Sequence, residues 1–176
     1  MTNQHFPFTQ YLTNTVKLLH EVGLLLVSGT KEKANVMAIG WGFPGILWGK
    51  PFFMVAVRPS RYTFEFIEKT GDFTVNVPSG WDMHETVDYC GTVSGRDHDK
   101  FKERGLTLLP SKKVKSPIIA ECPIHYECIV AFTTKLIPKY IPKDVLSSYY
   151  AHKDFHTLFF GEIVAAYADK KAKIKI

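Results

Sequence analysis

Three cysteines among 176 residues (Cys90, Cys122 and Cys128) cannot form a disulfide framework within one chain, since any pairing leaves one over. No apolar run approaches the roughly 20 residues that a spanning helix needs, so no membrane association is expected. The stretch Met1 to Gln10 is polar, with no basic segment leading into an apolar one, so no secretory leader is expected. Together these absences point to a reducing, cytoplasmic setting. There is also no Gly-rich dinucleotide fingerprint after a strand, no P-loop and no zincin His-Glu pattern. Gly91-Thr-Val-Ser-Gly95 is bounded by glycines but lacks the Lys-Ser/Thr ending that holds phosphate and magnesium. Neither Ser79 nor Ser94 sits in a Gly-x-Ser-x-Gly elbow, which argues against a serine hydrolase. With no internal repeat and no low-complexity linker, residues 1–176 read as a single domain.

What the chain does carry is a surplus of aromatic side chains and of positive charge. Aromatics reach 14%, a level that suits strands or a site for a flat ligand. The net charge of +5 comes largely from Lys102, Lys112, Lys113 and Lys115 and from the tail lysines 170, 171, 173 and 175. Such runs form either a solvated face or a source of attraction for anions, including phosphate-bearing cofactors. No stripe of Lys and Arg interleaved with aromatics follows one element, so nucleic acid is not expected as a partner.

Apolar runs bounded by Gly and Pro predict strands over Gly23–Gly29, Asn35–Trp41, Phe52–Val57 and Asp72–Val77. Gly42-Phe-Pro-Gly45 is expected to break the second of these. A helix is predicted over Arg61–Lys69, with Ser60 as its N-cap and Gly71 as its terminator. Short helices follow over Trp81–Cys90 and Asp97–Arg104. Two long strands, Ile118–Leu136 and Phe155–Tyr167, close the chain. Between them Pro138–Lys153, with two prolines and three tyrosines, reads as an insertion or flap. Successive strands with only short helices between them give a mainly β fold, barrel or sandwich.

Cys122, His125 and Cys128 form a Cys-x2-His-x2-Cys cluster of zinc-ligand types. On one strand the two cysteines would share a face and His125 would point the other way, so no metal is expected there. Arg58-Pro-Ser-Arg-Tyr-Thr63 places two guanidinium groups and two hydroxyls where a strand ends and a helix begins, a natural anion site. The same residues also suit an ordinary cap with surface arginines. A second polar and basic loop carries Ser94, Arg96 and Lys100, and the two loops together suit a mononucleotide.

These segments carry a resemblance. Asn35–Trp41, Val55–Thr63, Phe73–Pro78 and Tyr89–Phe101, with Glu121-Cys-Pro123 and His156–Ile163, resemble the flavin reductase-like, FMN-binding split-barrel family, and within it the flavoredoxin group. The likeness runs from about Gly23 to Tyr167. It implies a Greek-key antiparallel split barrel with a few short helices, binding FMN without covalent attachment, usually at a homodimer interface. By motif match Asn35, Met37, Ala38 and Trp41 would line the isoalloxazine ring. Trp41 can equally be read as core. Ser60, Arg61, Thr63, Arg96 and Lys100 would hold the phosphate, and Asn76, Val77 and Ser94 would complete the walls. His156 stands where the family often has a histidine near the flavin or nicotinamide. The implied activity is that of a flavoredoxin or an NAD(P)H-dependent flavin or ferric reductase, with NAD(P)H as a transient donor; the alternative is a non-catalytic split-barrel module that holds flavin or haem. Two departures stand out: Pro138–Lys153 is longer than the family's usual connection, and the chain stops at Lys173-Ile-Lys-Ile176, where comparable members continue with a glycine-rich tail.

Overall fold

The computed structural model describes residues 3–5 and 8–169; the tail lysines and the chain end at Ile176 lie outside them. In chain order the elements are β1 (Asn3–His5), α1 (Leu12–Glu21), β2 (Leu24–Gly29), β3 (Ala34–Ile39), β4 (Gly42–Leu47) and β5 (Lys50–Val57). There follow α2 (Tyr62–Thr70), β6 (Asp72–Val77), α3 (His84–Thr92), α4 (Lys100–Glu103), β7 (Leu108–Leu109) and β8 (Ile118–Ile119). The long strands β9 (Ile124–Lys135) and β10 (Thr157–Asp169) flank α5 (Lys143–Tyr149). The main sheet runs β3-β2-β6-β9-β10-β5-β4, with β1 added to β10, and every pairing is antiparallel. No helix among the described residues is long and apolar enough to cross a membrane.

The ends of this order, β3 and β4, are consecutive in the chain and separated only by Gly40 and Trp41. A sheet whose two edges are joined by two residues has to curl on itself, and the result is a split barrel. Its interior is set by the two-residue period of each strand. Phe53, Val55 and Val57 of β5, Phe73, Val75 and Val77 of β6, and Tyr126 and Cys128 of β9 meet in one cluster. Strand β2 is apolar at nearly every position because both of its faces are covered. Leu24 and Leu26 face the barrel, while Leu25 and Val27 pack with Val36, Val87 and Cys90 beneath α3.

The structure departs from the sequence expectation in several places. Gly42–Gly45 does not break a strand but opens β4, whose hairpin turn holds Trp48 and Gly49 at φ 52° and 72°. Helix α1 has no counterpart in the sequence reading. Ser60 does not cap α2: Arg61 is the N-cap residue and makes no side-chain cap bond, while Ser60 Oγ donates to Asp154. Gly71 does end α2 in the left-handed conformation, its N–H donating to Ile67 O at 2.9 Å. Cys122 precedes β9 rather than lying on it, and it packs in the cluster under α3 while Cys128 packs in the barrel. The two thiols therefore share no strand face.

Candidate functional site

Three segments converge beside the end of β3 to form a cleft of about 190 Å³: β3 itself, the β5–α2 junction and the loop from α3 to α4. Asn35 is buried on β3, and its amide donates to the buried hydroxyl of Thr63 at 2.7 Å, tying strand to helix. Gly95 passes so close that a Cβ there would collide with Asn35 Oδ1. Lys100, in the first turn of α4, turns inward and is only 3% exposed. Its ammonium donates to the carbonyls of Cys90 (3.1 Å) and Val93 (3.3 Å). Arg58 and Arg61 line the same cleft, Arg61 donating to Gly91 O at 2.8 Å, and no carboxylate lines it. Burial holds the Lys100 ammonium below its ordinary pKa, and the Arg61 guanidinium acts in the same direction, against Cys90. A buried cation among cations, facing only neutral acceptors, gives this cleft a positive potential.

Met37, Arg58 and Arg61 also line a second hollow of about 240 Å³, so the two adjoin. This end is more open, and it is bounded by Trp41, Ala56 and His156. Ala38 borders it as well, although its Cβ is turned toward α3 and Gly91. Trp41 is 41% exposed, so it is a wall and not core. Its ring lies 4.7 Å from His156 and edge-on to Tyr149 at 5.1 Å. His156 is buried, and its pKa is pushed down to about 4 by burial and by Arg58, with Asp154 opposing. At neutral pH the imidazole is uncharged.

Sequence reasoning missed the residues that roof this end. The stretch read as a flap carries α5, and Arg58 latches it down by donating to Tyr149 O (2.8 Å) and Asp154 O (2.9 Å). Ser60 adds a bond to the Asp154 carboxylate at 2.6 Å. The three tyrosines of that stretch were the available signal, but nothing in their spacing shows where the flap lands.

Not every expected residue arrives. Ser94 lines the cleft, but Arg96 does not: its guanidinium is taken by Glu65, by Ser60 O at 3.1 Å and by the Tyr62 ring. Asn76 and Val77 are not walls of the cleft. Val77 packs in the barrel, and the fully buried Asn76 bridges strands instead. Its amide donates to Leu25 O and Thr74 Oγ1, and its Oδ1 accepts from Ile119 N and His125 Nδ1.

Residues 19–175 match the family described as flavin reductase like domain. An uncharacterised protein of Archaeoglobus fulgidus is 34% identical over 87% of this chain and 76% of its own length. Flavoredoxin from Methanosarcina acetivorans is 33% identical with a TM-score of 0.66, covering 85% of this chain and 70% of that one. A split barrel domain from Shewanella frigidimarina, 19% identical with a TM-score of 0.67 over 96% of this chain and 82% of that one, shares the fold.

Proposed function

The chain belongs to the flavin reductase-like family, and on that premise we propose that it binds FMN across the two adjoining hollows and serves as a flavin-dependent oxidoreductase. The observation that carries this reading is the pairing of a carboxylate-free cationic pocket with a neighbouring hollow walled by Trp41 and His156, the two sharing Met37, Arg58 and Arg61. In this assignment Lys100 and Arg61 hold the phosphate, Ser94 and the backbone around Gly95 border it, and Met37, Trp41 and His156 face the ring. Bound FMN supplies reversible uptake of a hydride or of single electrons. The chain's part is to orient the ring, exclude water with the flap, and offer donors where charge develops. NAD(P)H is the proposed transient donor.

FMN is expected to bind in preference to FAD. Lys100 is the one buried cation among the described residues, which serves one terminal phosphate and not a pyrophosphate. The purified protein should show flavin absorbance after exposure to FMN, and calorimetry should give a weaker affinity for FAD. A colourless protein after such exposure overturns the function; equal affinity for FAD overturns the preference.

A homodimer belongs to the same proposal. The residues of β5 and β10 that face away from the barrel, such as Met54 and Phe160, are paired in register and mostly apolar. Around them Phe43, Trp48 and Phe132 stand 53%, 67% and 45% exposed, with Trp48, Phe132 and Phe160 in ring contact. This apolar face runs along β5 to Ala56, which lines the ring end of the cleft, so a partner seated there would help to close it. Phe132→Glu is expected to halve the mass seen by light scattering and to weaken flavin binding with it. A wild-type monomer with full flavin occupancy overturns the dimer.

A further inference from the structure

Tyr150 lies outside the cleft lining, yet it governs one of the walls. Its hydroxyl is 2.8 Å from Nδ1 of His156, and the residue is only 5% exposed. The ring is held in place, stacked on Phe155 at 4.9 Å and covered by the Arg58 guanidinium at 5.1 Å. Burial raises the phenol's pKa above its ordinary value, against Arg58, so the hydroxyl keeps its hydrogen. Among the described residues that hydrogen has one acceptor, the Nδ1 lone pair. A nitrogen that accepts carries no hydrogen, and a neutral imidazole must then carry its proton on Nε2.

We propose that Tyr150 is a positioning residue: it donates to Nδ1 of His156, fixes the imidazole as its Nε2–H tautomer, and so leaves the cleft one directed N–H donor. His156 therefore acts toward a ligand as a hydrogen-bond donor and not as a base. Such a donor favours negative charge arriving beside it, because it is already oriented when the charge develops. The identity of what it meets, an oxygen or nitrogen at the edge of an isoalloxazine, rests on the flavin reading. The tautomer is a property of the chain alone.

The test is therefore made on the flavin-free protein labelled with 15N-histidine, by two-bond proton–nitrogen correlation. For His156 the protonated nitrogen is expected to be Nε2, with Nδ1 appearing as an accepting nitrogen. In Tyr150→Phe, which keeps the stack on Phe155, a mixture of tautomers is expected. The comparison is made at neutral pH, where His156 is uncharged, because a protonated ring would instead donate from Nδ1 to the Tyr150 oxygen. The charged groups around it, Arg58, Arg61 and Asp154, are the same in both proteins. A wild-type His156 protonated on Nδ1, or an unchanged tautomer in Tyr150→Phe, overturns the proposal. An Nε2–H signal in a protein that takes up no flavin upholds it and overturns the function proposed above.

Discussion

Lys100→Met is expected to weaken FMN binding about 10- to 150-fold and to leave riboflavin binding nearly unchanged. The range follows from a charge-assisted hydrogen bond of about 1.5–3 kcal/mol, at about 1.4 kcal/mol for each tenfold. The ammonium is buried, meets two carbonyls and no carboxylate, and so keeps most of its interaction for an anion. Methionine retains much of the apolar stem that burial requires. Riboflavin has the ring and ribityl chain but no phosphate, so it serves both as the control for folding and as the discriminating ligand. Equal losses for the two flavins would remove Lys100 from the phosphate site.

Gly161→Ala is expected to destabilise the protein by about 3 kcal/mol, the upper end for overpacking, and to lower Tm by roughly 6–12 °C. Gly161 sits on β10 at a register shift, where a Cβ would stand 2.5 Å from Phe73 Cζ and 2.7 Å from Cys128 Cβ. Both neighbours are fully buried, and the second is fixed to the backbone of β9, so neither can move aside cheaply. Gly45→Ala on β4 is the control. Its Cβ would meet only Phe43, at an ordinary 3.9 Å, and its Tm should change little. A Gly161→Ala protein that melts with the wild type would show that the barrel is looser at this point than its geometry implies.

Strands were legible where burial imposes a pattern. Asp72–Val77 appears with the bounds the sequence suggests, because Gly71 and Pro78 frame it and its inward residues alternate. Gly42–Leu47 was not legible: its Gly-Phe-Pro-Gly start suits a turn, and only the pairing with β5 makes it a strand. Helix α1 is amphipathic in three dimensions through Leu18 and Leu19, but its polar, threonine-containing start gives no capping signal. Arg61, Thr63 and Lys100 stood out as basic and hydroxyl groups at strand–helix boundaries, and Asn35 and Trp41 only through the family resemblance; the structure brings Arg61, Thr63, Lys100 and Asn35 to one cleft and Trp41 to the hollow beside it. Arg96 lies apart from them: a guanidinium in a basic loop looks available in the sequence, but here Glu65 and Tyr62 engage it. Asn76 was expected in the walls only through the family resemblance, whereas in the structure it satisfies buried groups on three neighbouring elements. Tyr150 and Asp154 depend on where a flap lands, which no local pattern encodes.

The two-residue corner at Gly40 and Trp41 has a consequence for the order in which the molecule is built. Asn35 and Met37 ride on one edge of the sheet, and Ala56 on β5 and Arg58 just past its end lie next to the other edge, so these walls face each other only after the sheet has rolled up. Pairings such as β6 with β9 join residues some fifty positions apart and are slow to find. Closure is therefore expected late in folding, when a half-rolled chain would have two incomplete walls and nothing to grip a ligand with. Capture of the proposed flavin would then act as a ratchet on the finished barrel, and its onset in a refolding experiment would time the moment the seam shuts.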